Sequence, residues 1–142
     1  DEHTRCHSAS LTKSFTCLAI LALRDEGALA LHDPVLRYLP ELGVGSALTD
    51  DAPPIVIEQL MTMSAGLPED NPWADRRLED SRAELRALLE RGLSYSNVSG
   101  SAFEYSNLGY ALLGEIITRV SGRGGSVTAR CHASGMNVDA SK

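Results

Sequence analysis

At 142 residues the chain has the length of about one domain, and an apolar share of 43% is enough to fill a core. The formal net charge of −6 excludes the basic face that nucleic-acid binding needs. No run of about 18 apolar residues occurs, so no membrane-crossing helix is expected.

Residue 1 is Asp rather than Met, and no basic-then-apolar signal segment follows it. The chain therefore reads as a piece of something longer or a processed product, and its start leaves the compartment open. His3, Cys6 and His7 lie close together, with Cys131-His132 near the other end. A metal-binding module is one reading of these, but the spacing fits no established zinc signature. No cofactor is implied. The three cysteines, Cys6, Cys17 and Cys131, are an odd count without framework spacing, which favours unpaired thiols at the two ends.

Residues 11–25, LTKSFTCLAILALRD, place Leu11, Phe15, Leu18, Ala22 and Ile20-Leu21 in a broad apolar stripe at helical spacing. Cys17 falls inside this pattern as a small core residue. Ser10 stands where an N-cap belongs, and Gly27 where a terminating glycine would sit. Asp33-Pro34 predicts a short second helix, VLRYL, closed before Pro40. His32 beside Asp33 forms a triad pair on paper, but its place ahead of a helix-starting proline favours a structural role.

Residues 43–54 read as a loop, and IVIEQLMTM over 55–63 as a brief helix broken near Ser64-Ala65-Gly66. Residues 67–80 are a polar excursion in which Trp73 reads as a loop anchor. Ser81-Arg82-Ala83-Glu84 is a capping-box pattern with RAELRALLER helical up to Gly92, and the charged run RRLEDSRAELR reads as a solvated helix face. Residues 93–101 are Ser- and Gly-rich loop. A last helix is expected from about Leu108 to Val120, with Leu112, Leu113, Ile116 and Ile117 inward, ending at Ser121-Gly122. Residues 123–142 contain no Leu, Ile, Phe, Tyr or Trp, so a frayed tail is expected.

Composition singles out one side chain. There are eleven arginines but only two lysines, Lys142 at the last position and Lys13. Arginine does not shed its proton in a protein, whereas lysine does when its surroundings disfavour the charge. Ser10 and Lys13 are three apart at a predicted helix start, so they share one face. A serine hydroxyl becomes a nucleophile when a base removes its proton. A lysine serves only as a neutral amine, which requires a pKa drop from about 10.4 towards 7, roughly 4.6 kcal/mol. Burial and the positive end of the helix both act in that direction. Backbone N–H groups of the first turn are available to a developing oxyanion. The blander reading makes Ser10 a cap and Lys13 a solvated charge.

A second group precedes the last helix: Phe103-Glu104-Tyr105-Ser106-Asn107. Tyr105 can relay a proton, and Asn107 can bond to a substrate carbonyl or to the lysine. The plain alternative is a buried tyrosine plus an Asn cap. Tyr95-Ser96-Asn97 repeats the triplet, but no helical run follows it directly, so the role is placed at 105–107.

Three stretches carry a resemblance: ASLTKSFTCLAILALRDEGALALHDPVLRYLPEL, IEQLMTMSAGLPEDNPW and FEYSNLGYALLGEIITRVSG. In order and spacing, residues 1–122 resemble the serine β-lactamase and penicillin-binding-protein superfamily, in its class C β-lactamase-related branch, which includes D-alanyl-D-alanine carboxypeptidases and esterases. The resemblance implies Ser10 as the acylated nucleophile, Lys13 as its base, and Tyr105 and Asn107 as the Tyr-x-Asn element. It implies an α+β, β-lactamase/transpeptidase-like fold, of which this chain is mainly the helical part with most of the antiparallel sheet missing. The implied partner is a small-molecule or peptide substrate. Family members are often exported or periplasmic, and oligomeric state stays open.

The family's Lys-Thr-Gly or His-Thr-Gly tripeptide, carried on a downstream strand, does not occur in this sequence. Ser99-Gly100 stands where relatives often have Pro-Gly, and the match stops after Gly122. Losing one oxyanion donor lowers rates by about 10²–10³, and a helical face without its sheet lacks a packing partner. Weak or absent activity is therefore expected of the chain alone, and a non-catalytic helical interaction domain is the competing reading.

Overall fold

The computed structural model describes residues 9–43, 49, 51–69 and 82–122. The His3/Cys6/His7 and Cys131-His132 groups, Trp73, the capping box at Ser81 and the 123–142 tail lie outside the described residues. Among the described residues, four α-helices carry the architecture: α1 (Thr12–Asp25), α2 (Ile57–Met61), α3 (Arg82–Glu90) and α4 (Asn107–Ser121). Among the described residues there is no strand, only an isolated antiparallel bridge between Pro34 and Val56.

Helix α4 is the centre of the core. Its residues Leu112, Leu113, Ile116 and Ile117 are buried, as their helical spacing predicts. Ala19 and Ile20 of α1, Ile57 and Leu60 of α2, and Leu89 of α3 bury against the same cluster. Val35, Leu39 and Leu42 close it from the segment after α1. Each buried Val, Leu or Ile side chain among them contributes about 1.5–3 kcal/mol. Arg119 ties the far end of α4 to that segment. Its guanidinium donates to both carboxylate oxygens of Glu41 (2.9 and 2.8 Å), to Glu115 (3.0 Å) and to the Tyr38 carbonyl (2.9 Å).

The predicted VLRYL helix is a single 3₁₀ turn, Val35–Arg37, followed by a second, Pro40–Leu42. The proline explains the break: the residue before it is pushed out of the helical region, and Leu39 has φ −126° and ψ 68°. Asp33 does not cap a helix there. Its carboxylate accepts from Tyr38 Oη (2.6 Å), the Ala30 amide (2.8 Å) and Arg37 (3.0 Å), while exposed His32 faces Glu58 at 3.3 Å. The two residues form no dyad.

The stripe expected on α1 divides. Ala19 and Ile20 are buried, but Leu11, Phe15 and Leu18 are 68%, 37% and 43% exposed. Among the described residues, no helix is long and apolar enough to cross a membrane, and no His/Cys/Asp/Glu group could hold a metal ion.

Candidate active site

Ser10 lies in a 3₁₀ turn, Ala9–Leu11, that runs straight into α1. Leu11, not Ser10, occupies the cap position, and no side chain caps the helix there. The serine hydroxyl is therefore not committed to the backbone. It shares a 2.9 Å hydrogen bond with the hydroxyl of Tyr105, 95 residues away. One turn further along α1, half-buried Lys13 donates from Nζ to Asn107 Oδ1 at 2.6 Å. The same nitrogen lies 4.9 Å from the centre of the Tyr105 ring and 5.5 Å from that of Tyr110.

Local backbone explains why Tyr105 and Asn107 arrive together. Ser106 between them is extended (φ −134°, ψ 118°), and alternate side chains of an extended segment share a side. Ser106 points the other way, is buried, and caps α4 by accepting from the Gly109 amide at 3.1 Å. Asn107 is thus relieved of the capping role and presents its amide oxygen to the lysine. The lysine nitrogen donates this bond and the amide oxygen accepts it.

All four residues singled out from sequence come together, in two pairs across α1 and the start of α4. The hydroxyl partner of Ser10 is the phenol, while the lysine engages the carboxamide. Cys17, expected as a small core residue, is half-buried and bonds the Tyr110 hydroxyl at 3.3 Å.

The residue that sequence reasoning passed over is Glu104. Its carboxylate accepts from Ser96 Oγ, from the Glu69 amide (2.7 Å) and from Asn97 Nδ2 (2.7 Å). It fastens the loop immediately before Tyr105 to two other segments. The repeated Tyr-Ser-Asn at 95–97 was the available signal, because two of its members are the residues that hold Glu104. Tyr95 turns inward, with a buried hydroxyl that has no partner among the described residues.

The hydrogen bond from Ser96, then that from the Glu69 amide, then that from Asn97, hold the Glu104 carboxyl below its ordinary value. Since the folded state favours the carboxylate, its stabilising effect is present above the unfolded value and is lost as pH falls through the lowered folded value. Glu104→Gln is therefore expected to lower the midpoint of urea unfolding at neutral pH, with the gap to the parent closing below the usual carboxylate range. A gap independent of pH between neutrality and strong acid would contradict this role.

A family pattern described as Beta-lactamase matches residues 1–129. The chain belongs to the β-lactamase family. The protein flp of Staphylococcus aureus is 37% identical over 124 residues, covering 83% of this chain and 24% of that protein. Penicillin-binding protein 4* of Bacillus subtilis is 31% identical over 119 residues, covering 80% of this chain and 25% of that protein. The chain thus spans about a quarter of the length of these relatives. Among solved structures, an octameric penicillin-binding protein homologue from Pyrococcus abyssi superposes with a TM-score of 0.59 at 32% identity, covering 80% of this chain and 27% of that one. EstCE1, a hydrolase with promiscuous acyltransferase activity, superposes with a TM-score of 0.64 at 28% identity, covering 80% and 32%. The helices described above are the helical part of a β-lactamase/transpeptidase-like fold, and the family is one of serine hydrolases.

Proposed function

We propose that this chain carries the acylation site of a serine hydrolase, in which Ser10 attacks an amide or ester carbonyl and keeps the acyl group as an ester on Oγ. The substrate classes that suit this chemistry are β-lactams, D-Ala-D-Ala peptides and simple esters. The supporting observation is the 2.9 Å bond between Ser10 Oγ and Tyr105 Oη, with Lys13 held over the same ring by Asn107. As the Oγ–carbon bond forms, the Ser10 proton passes to the Tyr105 oxygen while the phenol's own proton moves on to Lys13. The relay requires the amine to be neutral when it takes the proton, and the ammonium it produces is then stabilised by Asn107 Oδ1 and the two rings. The leaving group takes its proton back along the same path, so Tyr105 serves both as acceptor and as donor.

One observation favours a second reading, a non-catalytic helical interaction domain: Leu11, Phe15 and Leu18 are exposed apolar side chains on α1 and the turn before it that carries Ser10. A fluorophosphonate probe separates the two, because it needs an activated hydroxyl more than a complete substrate pocket. Peptide mapping is expected to find the adduct on Ser10 of the folded chain, and to find none in Ser10→Ala or in urea. Unlabelled Ser10 in the folded protein would overturn the catalytic reading in favour of the interaction domain.

A further inference from the structure

Helices α1 and α4 face each other through two successive rungs. The first is Lys13 with Asn107; the second is Cys17, four residues on, with Tyr110, three residues on. Side chains at those intervals share one helix face, so Tyr110 stands directly beneath the proposed site. Its ring is 5.5 Å from the lysine nitrogen. Its hydroxyl donates to the carbonyl of Met61 at 2.8 Å, at the end of α2. With that proton committed, the Cys17 thiol is the donor in the 3.3 Å contact with the phenol oxygen. The ring is therefore fixed at one edge to α2 and α1 while its face is offered to Lys13.

We infer that Tyr110 is a positioning residue for Lys13: anchored through its hydroxyl to Met61 and Cys17, its ring is one wall of the slot that holds the lysine amine over Tyr105. This rests on the proposed hydrolase reading for its consequence in rate, although the placement of Lys13 is observable without any catalysis. A flexible four-carbon side chain beside an exposed serine has many rotamers, and ordering it costs entropy. Two aromatic faces and one carboxamide oxygen restrict it to the position from which it can serve the phenol. The anchor also remains intact over a wide pH range. Burial, with the Cys17 thiol beside it, pushes the Tyr110 phenol well above its ordinary value, so the hydroxyl stays a donor to Met61.

The test uses the scarcity of lysine. Full-length chain labelled with ¹³C only at lysine gives two side-chain signals, Lys13 and Lys142. In the parent, ring currents are expected to displace the Lys13 Hε resonances from those of Lys142. Tyr110→Leu removes the ring and is expected to shrink that displacement. Tyr110→Phe keeps the ring but drops the anchor, and is expected to restore part of the displacement with a broader line. Fluorophosphonate labelling at Ser10 should slow about tenfold to a hundredfold in Tyr110→Phe, in the limiting rate at saturating probe and with little change in half-saturation. Thermal unfolding of each variant shows that it is folded, and Tyr110→Phe stands alone if Tyr110→Leu is not. Lys13 resonances that stay at their parent positions in folded Tyr110→Phe, with unaltered labelling, would reduce Tyr110 to a core residue and overturn the inference. A parent chain that is not labelled at Ser10 defeats the hydrolase reading instead, and the Lys13 spectra then decide the placement on their own.

Discussion

Tyr105→Phe is expected to slow acylation of Ser10 by about 10²–10⁴, the usual range for removing a positioned proton-transfer group. The substitution deletes one oxygen, and that oxygen is the hydrogen-bond partner of Ser10 Oγ at 2.9 Å. The ring remains, so the wall beside Lys13 at 4.9 Å is preserved and the change isolates proton transfer from packing. Lys13→Arg is expected to fall by a similar factor, because a guanidinium keeps its positive charge but cannot take up the proton. The double variant discriminates further. If phenol and amine are successive stations of one relay, losing either already breaks it, and the combined variant should be little slower than the worse single one. Fully additive losses, or a Lys13→Arg chain labelled at the parent rate, would remove Lys13 from the proton path and leave it as a charge that only orders the site.

Much of the candidate site was legible because its polar side chains lie at two helix starts. Ser10 and Lys13 are three apart, and Tyr105 and Asn107 two apart, so local spacing alone predicts that each pair shares a side. What local spacing does not contain is the meeting of the pairs across 95 and 94 residues. Only the order of motifs shared with the family implied that encounter. The assignment of Ser10 as N-cap failed for a related reason. A serine ahead of an apolar run can cap, but here the chain enters α1 through a 3₁₀ turn that already has helical geometry, so the hydroxyl has no backbone task.

Periodicity likewise places α4 to within one residue at each end, since its buried residues recur at helical spacing and Gly122 stops it in the left-handed region. On α1 the same signal was ambiguous. Apolar residues on nearly every side show that a helix forms, but not which of them reach the core, and Leu11, Phe15 and Leu18 prove to be exposed. Glu104 was invisible for a different reason. A carboxylate in a polar loop looks solvated until the three donors that converge on it, from residues 69, 96 and 97, are placed in space.

Those donors depend in turn on Gly66, where Gly66→Ala is expected to destabilise the chain by about 2–5 kcal/mol. The residue has φ +81°, and a Cβ built there would collide with the carbonyl oxygen of Asn97, with the Ser99 amide at 3.5 Å. The obstacle is backbone, so no side-chain rotation relieves it. Moving the backbone would unlace the loop that carries Tyr105. The Gly66 carbonyl accepts from the amide of Ser96 at 2.9 Å, that of Ser64 from Gly100 at 2.7 Å, and that of Met63 from Glu104 at 2.8 Å. Residues 63–66 are in effect the template on which residues 96–104 are laid. Gly27→Ala provides the control. Its φ is +73°, but a Cβ there meets nothing within 4 Å, so it bears only the left-handed backbone penalty of about 1–2 kcal/mol. Thermal unfolding should therefore show a distinctly larger loss for Gly66→Ala. Ser10 labelling at a temperature where both variants are folded should fall only in Gly66→Ala, because only there does the strain reach the segment that aims the phenol. Equal shifts in melting temperature for the two variants would mean that the loop yields to the methyl group and does not hold Tyr105 in place.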